Sequence, residues 1–214
     1  WAKTYNRYCG TADSRSKDAR TRGSTAAPQT ELMTPQIRVM TYNIRYGNPR
    51  DQTHGWRHRR GAVASTIRFH CPDIVGLQEA LHDQLGYLRE RLPAYEWLSA
   101  GRRRAATAGE YAAIGYDRRR FDLETDATFW LSENPDTAGE VGWDAKQPRL
   151  VRYARFRERE TDTRFYHFNT HFDHFGETAR LRSAELLRRR IDRITDDRPV
   201  VVTGDFNTRE SEAP

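Results

Sequence analysis

Between residues 111 and 171 the chain passes through four aromatic and β-branched segments, Tyr111–Tyr116, Phe121–Leu131, Arg149–Arg157 and Thr163–His171, with no helical period between them. Turn chemistry such as Glu-Asn-Pro-Asp at 133–136 separates them. Four consecutive strands without helices imply antiparallel pairing. On either side of this centre, strand and helix alternate. Ile37–Asn43 reads as a strand and Trp56–Phe69 as a helix with Trp56, Val63 and Ile67 at helical spacing. Asp73–Glu79, after Pro72, reads as a buried strand and residues 82–91 as a second helix. A long helix over 177–194 carries Leu181, Ala184, Leu187, Ile191 and Ile194 on one face, and Pro199–Thr203 is the last strand. Such a pattern predicts an α+β fold, a four-layer α/β/β/α sandwich in which two packed sheets carry helices on their outer faces.

A length of 214 residues accommodates one domain with a core of its own. Residues 1–32 are rich in Ser, Thr, Arg, Ala and Asp without hydrophobic period, which predicts a disordered arm, with the folded domain over 33–214. The chain begins at Trp1, and Met33 stands just before the first periodic segment, so Met33 is the expected natural start. Half of the formal net charge of +6 lies in residues 1–32. The rest is too weakly basic to argue for nucleic acid by electrostatics alone. Arginine triplets at 102–104, 118–120 and 188–190 could line a phosphate-rich groove, although exposed turns and helix faces hold such runs more often. Cys9 and Cys71 are the only cysteines, too few for a metal site, and Cys9 falls in the expected arm. No apolar run reaches ten residues, which excludes a membrane span and the core of a secretory signal; a cytoplasmic monomer is the expectation.

Four polar groups stand where strands should end: Thr41-Tyr42-Asn43, Gln78-Glu79, Asn169-Thr170-His171 and Gly204-Asp205-Phe206-Asn207. Each alone would be an ordinary turn former or helix cap. Together they matter more, because strand ends at one sheet edge can converge on one site. Their chemistry suits hydrolysis of a phosphate ester. Glu79 could anchor a hard cation such as Mg²⁺, which takes one or two carboxylates with water and phosphate oxygens. Asp205 could orient the attacking water, while Asn43, Asn207 and His171 donate to phosphoryl oxygens. No Ser or Cys nucleophile motif competes.

At TYNIR (41–45), GLQE (76–79), FNTHFDH (168–174) and GDFN (204–207) the sequence resembles the endonuclease/exonuclease/phosphatase superfamily of DNase-I-like enzymes, from about residue 37 onward. TFWLSENPD (128–136) and GWDAKQPR (142–149) resemble a branch of small bacterial and archaeal members. The resemblance implies a metal-dependent hydrolase using Mg²⁺ or Mn²⁺ on a phosphate-ester substrate, with nucleic acid among the candidates. It assigns Asn43 and Glu79 to the metal and its waters, Asp205 and Asn207 to the nucleophile and transition state, and His171 to the phosphate. Arg149 corresponds by order to a phosphate-contacting arginine, and Glu110 and Tyr111 fall where relatives place a substrate contact. Superfamily enzymes carry a further Asp-His pair beyond GDFN, and this chain ends at Pro214. The expectation is therefore a truncated chain that lacks its last strands and its general base, impaired in this form.

Two other readings compete. His171 and His174 could belong to a zinc hydrolase, but Asn169 and Thr170 stand where a further histidine is needed, so Asp173 and His174 read as loop residues beside the site. His54 and His58, four apart, could bind metal on a helix, though a solvated helix start is the simpler reading. From a different class, a non-catalytic sandwich module could bind nucleic acid or a protein partner through its arginines. Turnover lost in Glu79→Gln separates enzyme from module.

Overall fold

A computed structural model describes residues 36–102 and 109–208. The arm expected at 1–32, Cys9 among it, lies outside the described residues, as do Arg103 and Arg104 of the first arginine triplet. The first sheet starts from β1 (Val39–Asn43), which pairs in parallel with β2 (Ile74–Ala80) across helix α1 (Trp56–His70). Helix α1 buries Val63, Ala64 and Ile67, and it stops at Cys71 in the left-handed region (φ 42°), where Pro72 bars continuation. After α2 (His82–Arg91), β3 (Tyr95–Leu98) and β4 (Tyr111–Asp117) complete the order β1-β2-β4-β3, with β4 antiparallel to both neighbours. The second sheet has the order β5-β6-β7-β8. Its strands β5 (Phe121–Trp130), β6 (Leu150–Glu158) and β7 (Arg164–His171) are antiparallel, and β8 (Val200–Asp205) joins β7 in parallel after α3 (Glu177–Ile194).

The sheets pack face to face, β2 against β7 and β8, and β4 against β6 and β7. Helices α1 and α2 cover the outside of the first sheet, where Leu85 and Leu88 join Val75 and Leu77. Helix α3 covers the second, with Leu186 and Leu187 against Tyr166 and Phe168. The expected four layers are present.

Along β7 the side chains alternate. Tyr166 and Phe168 face α3, whereas Phe165 packs between the sheets with Ile74, Ile114, Tyr116, Phe121 and Phe156. His167 and Asn169, on the same face as Phe165, are wholly buried in the same layer and touch Thr203. The inter-sheet space is thus apolar at one end and polar in its middle, and it opens at the far end onto the strand ends.

Three expectations need correction. The central strands do not all pair with one another: Tyr111–Asp117 belongs to the first sheet, because a strand buried on both faces needs two partners and finds them in β2 and β3. Strand β3 has no counterpart in the sequence reading; it is four residues long and only Trp97 in it is buried, with its ring against Gly115. On α3, Leu181 and Ala184 are exposed while Ala179 and Ser183 are buried. The Asp144 carboxylate accepts from the Ala179 amide at 2.6 Å and fixes how the first turn docks.

Candidate active site

Strand β2 carries a bulge at its end. Leu77 pairs with Ala113 and Ala80 with Tyr111, so Gln78 and Glu79 together oppose Ala112. Glu79 takes φ 62°, a left-handed conformation that costs a non-glycine residue on the order of 1–2 kcal/mol. Its carboxylate repays that cost locally: Oε1 accepts from Asn43 Nδ2 at 2.9 Å and Oε2 from the Tyr46 amide at 3.0 Å.

Asn43 ends β1 and ties the site together. Its Nδ2 also donates to Asp205 Oδ2 at 2.9 Å, so one amide bridges two carboxylates. Its Oδ1 accepts from the Arg45 amide at 2.9 Å. In this orientation Asn43 donates to both carboxylates. Asp205, at the end of β8, takes a second hydrogen bond on Oδ1 from the Asn207 amide at 3.1 Å. Asn207 sits at φ 49° and donates its own Nδ2 to the Phe172 carbonyl at 2.9 Å, leaving one N–H of that group to point elsewhere.

His171 ends β7 between two acids, with Nε2 3.9 Å from Asp205 and Nδ1 3.9 Å from Glu110. Burial, with the Arg149 charge, pushes its pKa down to about 4, so the ring is neutral at physiological pH and carries one N–H. Arg149 is buried and held by Asp173 at 3.4 Å and by His174 Nδ1 at 3.1 Å. Burial works against ionisation of Asp173, but hydrogen bonds from the Gly176 and Phe175 amides and the Arg149 charge outweigh it and hold this carboxyl below the usual range. Arg149, His171 and Tyr111 line an open cleft with the Arg102–Glu110 ion pair. Tyr111 is buried in its wall, with the hydroxyl 3.2 Å from His82 Nδ1.

All seven residues singled out in the sequence therefore gather at one end of the sandwich: Asn43, Glu79, Asp205 and Asn207 in one hydrogen-bonded group, His171 beside it, Arg149 and Tyr111 across the cleft. Residues the sequence reading missed hold them in place. Gln84, fully buried, accepts from the Gly47 and Leu81 amides and donates to the Arg45 carbonyl. Arg59 donates to the carbonyls of Ile44, Arg45 and Tyr46. Asp173, read as a loop residue, is the buried clamp on Arg149. These groups meet backbone distant in sequence, so only tertiary structure reveals them. In the other arginine runs Arg119 pairs with Asp117, Arg120 with Asp73 and Glu158, and Arg190 with Asp136. His58 stands beside Arg57, and among the described residues no three His, Cys, Asp or Glu side chains form a cluster able to hold a metal ion by themselves.

The sequence pattern of the endonuclease/exonuclease/phosphatase family matches residues 40–214. The chain belongs to that family. An endonuclease/exonuclease/phosphatase from Bacteroides vulgatus is 46% identical to it, with a TM-score of 0.80 over 82% of this chain and 67% of the other. A mannosyl-6-phosphatase of Bacteroides thetaiotaomicron is 35% identical, with a TM-score of 0.80 over 83% and 67%. An uncharacterized protein of Acanthamoeba polyphaga mimivirus is 28% identical over 161 residues, and the chain spans 59% of its length. The DNase-I-like sandwich expected of this family is the fold observed.

Proposed function

We propose that this endonuclease/exonuclease/phosphatase chain hydrolyses a phosphate ester with a divalent cation, Mg²⁺ or Mn²⁺, bound at Glu79. The observation that carries the reading is the meeting of the Glu79 and Asp205 carboxylates on the single Asn43 amide. Both acids are held by neutral donors, Asn43, the Tyr46 amide and the Asn207 amide, so their joint negative charge suits a hard cation with water in its shell. When bound, such a cation stabilises charge on the phosphoryl oxygens.

The chain's own groups then have distinct tasks. Asp205, partly open to solvent, accepts a hydrogen bond from the attacking water and orients it. Asn43 fixes the spacing of the two carboxylates. His171 donates its one N–H to a phosphoryl oxygen, and the spare N–H of Asn207 reaches a second. Arg149, pinned by Asp173, presents fixed positive charge to the phosphate across the cleft, preorganised as transition-state stabilisation requires. The 35% identity to a mannosyl-6-phosphatase favours a phosphomonoester of a small polyol or sugar over a polymer.

Hydrolysis of mannose 6-phosphate, p-nitrophenyl phosphate and bis-p-nitrophenyl phosphate, each with Mg²⁺, with Mn²⁺ and with EDTA, tests the reading. Turnover should need the metal, fall about 10²–10³-fold in Glu79→Gln and be faster on the monoesters. Metal-independent turnover, or none on any ester, would defeat it.

A further inference from the structure

Behind the site, the middle of the inter-sheet layer holds a polar group that none of the steps above uses. Asn169 of β7 is fully buried and reaches across to the first sheet. Its Nδ2 donates to the Leu77 carbonyl at 2.8 Å and to the Ala113 carbonyl at 2.9 Å. Those two residues face each other on β2 and β4 and form the last regular pair before the bulge. Its Oδ1 accepts from Gln78 Nε2 at 2.7 Å and from the Thr203 hydroxyl at 3.0 Å. His167 completes the chain with Nε2 2.9 Å from that hydroxyl. Its Nδ1 has no partner among the described residues, which places the ring proton on Nε2 as the donor to Thr203.

The first sheet leaves room for this amide on purpose of geometry. A Cβ at Gly76 would sit 2.6 Å from Asn169 Oδ1 and 2.1 Å from Thr203 Oγ1, so only glycine fits where the side chain enters. Gln78, held by Asn169, is the first residue of the bulge, and Glu79 is the second.

We infer that Asn169 is a positioning residue for Glu79: its amide wedges β2 and β4 at the pair where the register shifts, fixes Gln78, and so locks the bulge that aims the Glu79 carboxylate. The inference rests on the reading of Glu79 as the metal anchor for its functional consequence, but not for its structural part. Asn169 touches no group that would meet substrate. It acts through backbone, as groups behind metal ligands do when they set a ligand's direction.

The test uses the chain as it stands, with Asn169→Asp, which keeps the shape and the acceptors but removes at least one of the two N–H donors, and Asn169→Ser as a milder variant. Phe156→Leu, at the apolar end of the same layer, supplies a core-destabilised control, with exchange in every variant referred to its own global stability from urea unfolding. Amide hydrogen exchange of the metal-free protein should rise at least about tenfold in residues 77–80 in the Asn169 variants and stay level there in the control. Mn²⁺ affinity, read by electron paramagnetic resonance, should fall about 10–100-fold in the Asn169 variants alone. Exchange at 77–80 that rises no more than in Phe156→Leu overturns the inference. A parent chain that binds no Mn²⁺ would instead remove the metal reading, and the exchange result by itself would still decide the wedge.

Discussion

The two ends of the space between the sheets are built from opposite materials. At one end Phe121, Phe156, Phe165, Tyr116, Ile74 and Ile114 interlock, with the Tyr116 and Phe156 rings 4.9 Å apart and the Phe121 and Phe165 rings edge to face at 5.6 Å. At the other, buried amides and a histidine hand hydrogen bonds from sheet to sheet, and beyond them two carboxylates share one amide. The apolar end gains free energy from every ring, about 1.5–3 kcal/mol for a buried side chain of that size. The polar end gains little net, since each of its hydrogen bonds replaces one to water. What the polar end obtains is direction, because a network with fixed partners permits one arrangement of the strand ends. Stability and orientation are thus kept apart along a few strands that run through both.

That division can be broken from either end. The largest effect is expected from Phe156→Ala, which should cost about 3–5 kcal/mol in urea unfolding while turnover per folded molecule stays near the parent value. Equal loss of turnover would show that the two ends are coupled. Next comes Glu79→Gln at the opposite end, expected to lower kcat by about 10²–10³ with a melting temperature close to the parent's. Gly76→Ala attacks the boundary: its methyl group overlaps Asn169 and Thr203, and overpacking of this kind costs about 1–3 kcal/mol. Here stability and metal affinity should fall together, unlike at either end.

The smallest effect per step is a pH dependence. Burial pushes the His167 pKa down to about 3, so the folded chain keeps this ring neutral while the unfolded chain protonates it below about 6.5. The unfolded state then binds more protons, and stability, fully present above pH 6.5, falls as the pH drops from there toward 3. His167 alone should contribute roughly 1.4 kcal/mol per pH unit in that window. His171 pulls in the same direction down to about 4. Chemical denaturation at pH 7, 6 and 5 should show a shallower slope in His167→Gln than in the parent; parallel slopes would mean that water reaches the ring.

The apolar end and the carboxylates were legible in the sequence, and the middle was not. Periodicity exposes a residue such as Ile67 or Phe165 because burial alone decides its place, and a Glu or Asp that closes an apolar run, as Glu79 and Asp205 do, stands out by position. Helix α2 was read at the bounds observed, 82–91. Gln84, Asp173 and Asn169 look like ordinary surface residues in one dimension. Much of their worth lies in partners far along the chain, 24 residues away for Asp173 and Arg149 and 92 for Asn169 and the Leu77 carbonyl. The sheet to which Tyr111–Asp117 belongs was likewise hidden, since local pattern identifies a strand but does not choose its neighbour.

The alternation along β7 has a consequence for assembly. Its inward set, Phe165, His167, Asn169 and His171, interleaves with the outward set Tyr166, Phe168 and Thr170, and the strand is paired on both sides, with β6 and β8. A slip of one residue would drive two histidines and an amide beneath the leucines of α3 and turn aromatic rings toward the carboxylates. No such misthreaded sheet could satisfy its buried groups. The strand is its own ruler: the same residues that aim the chemistry also reject any frame that would turn them to the other face.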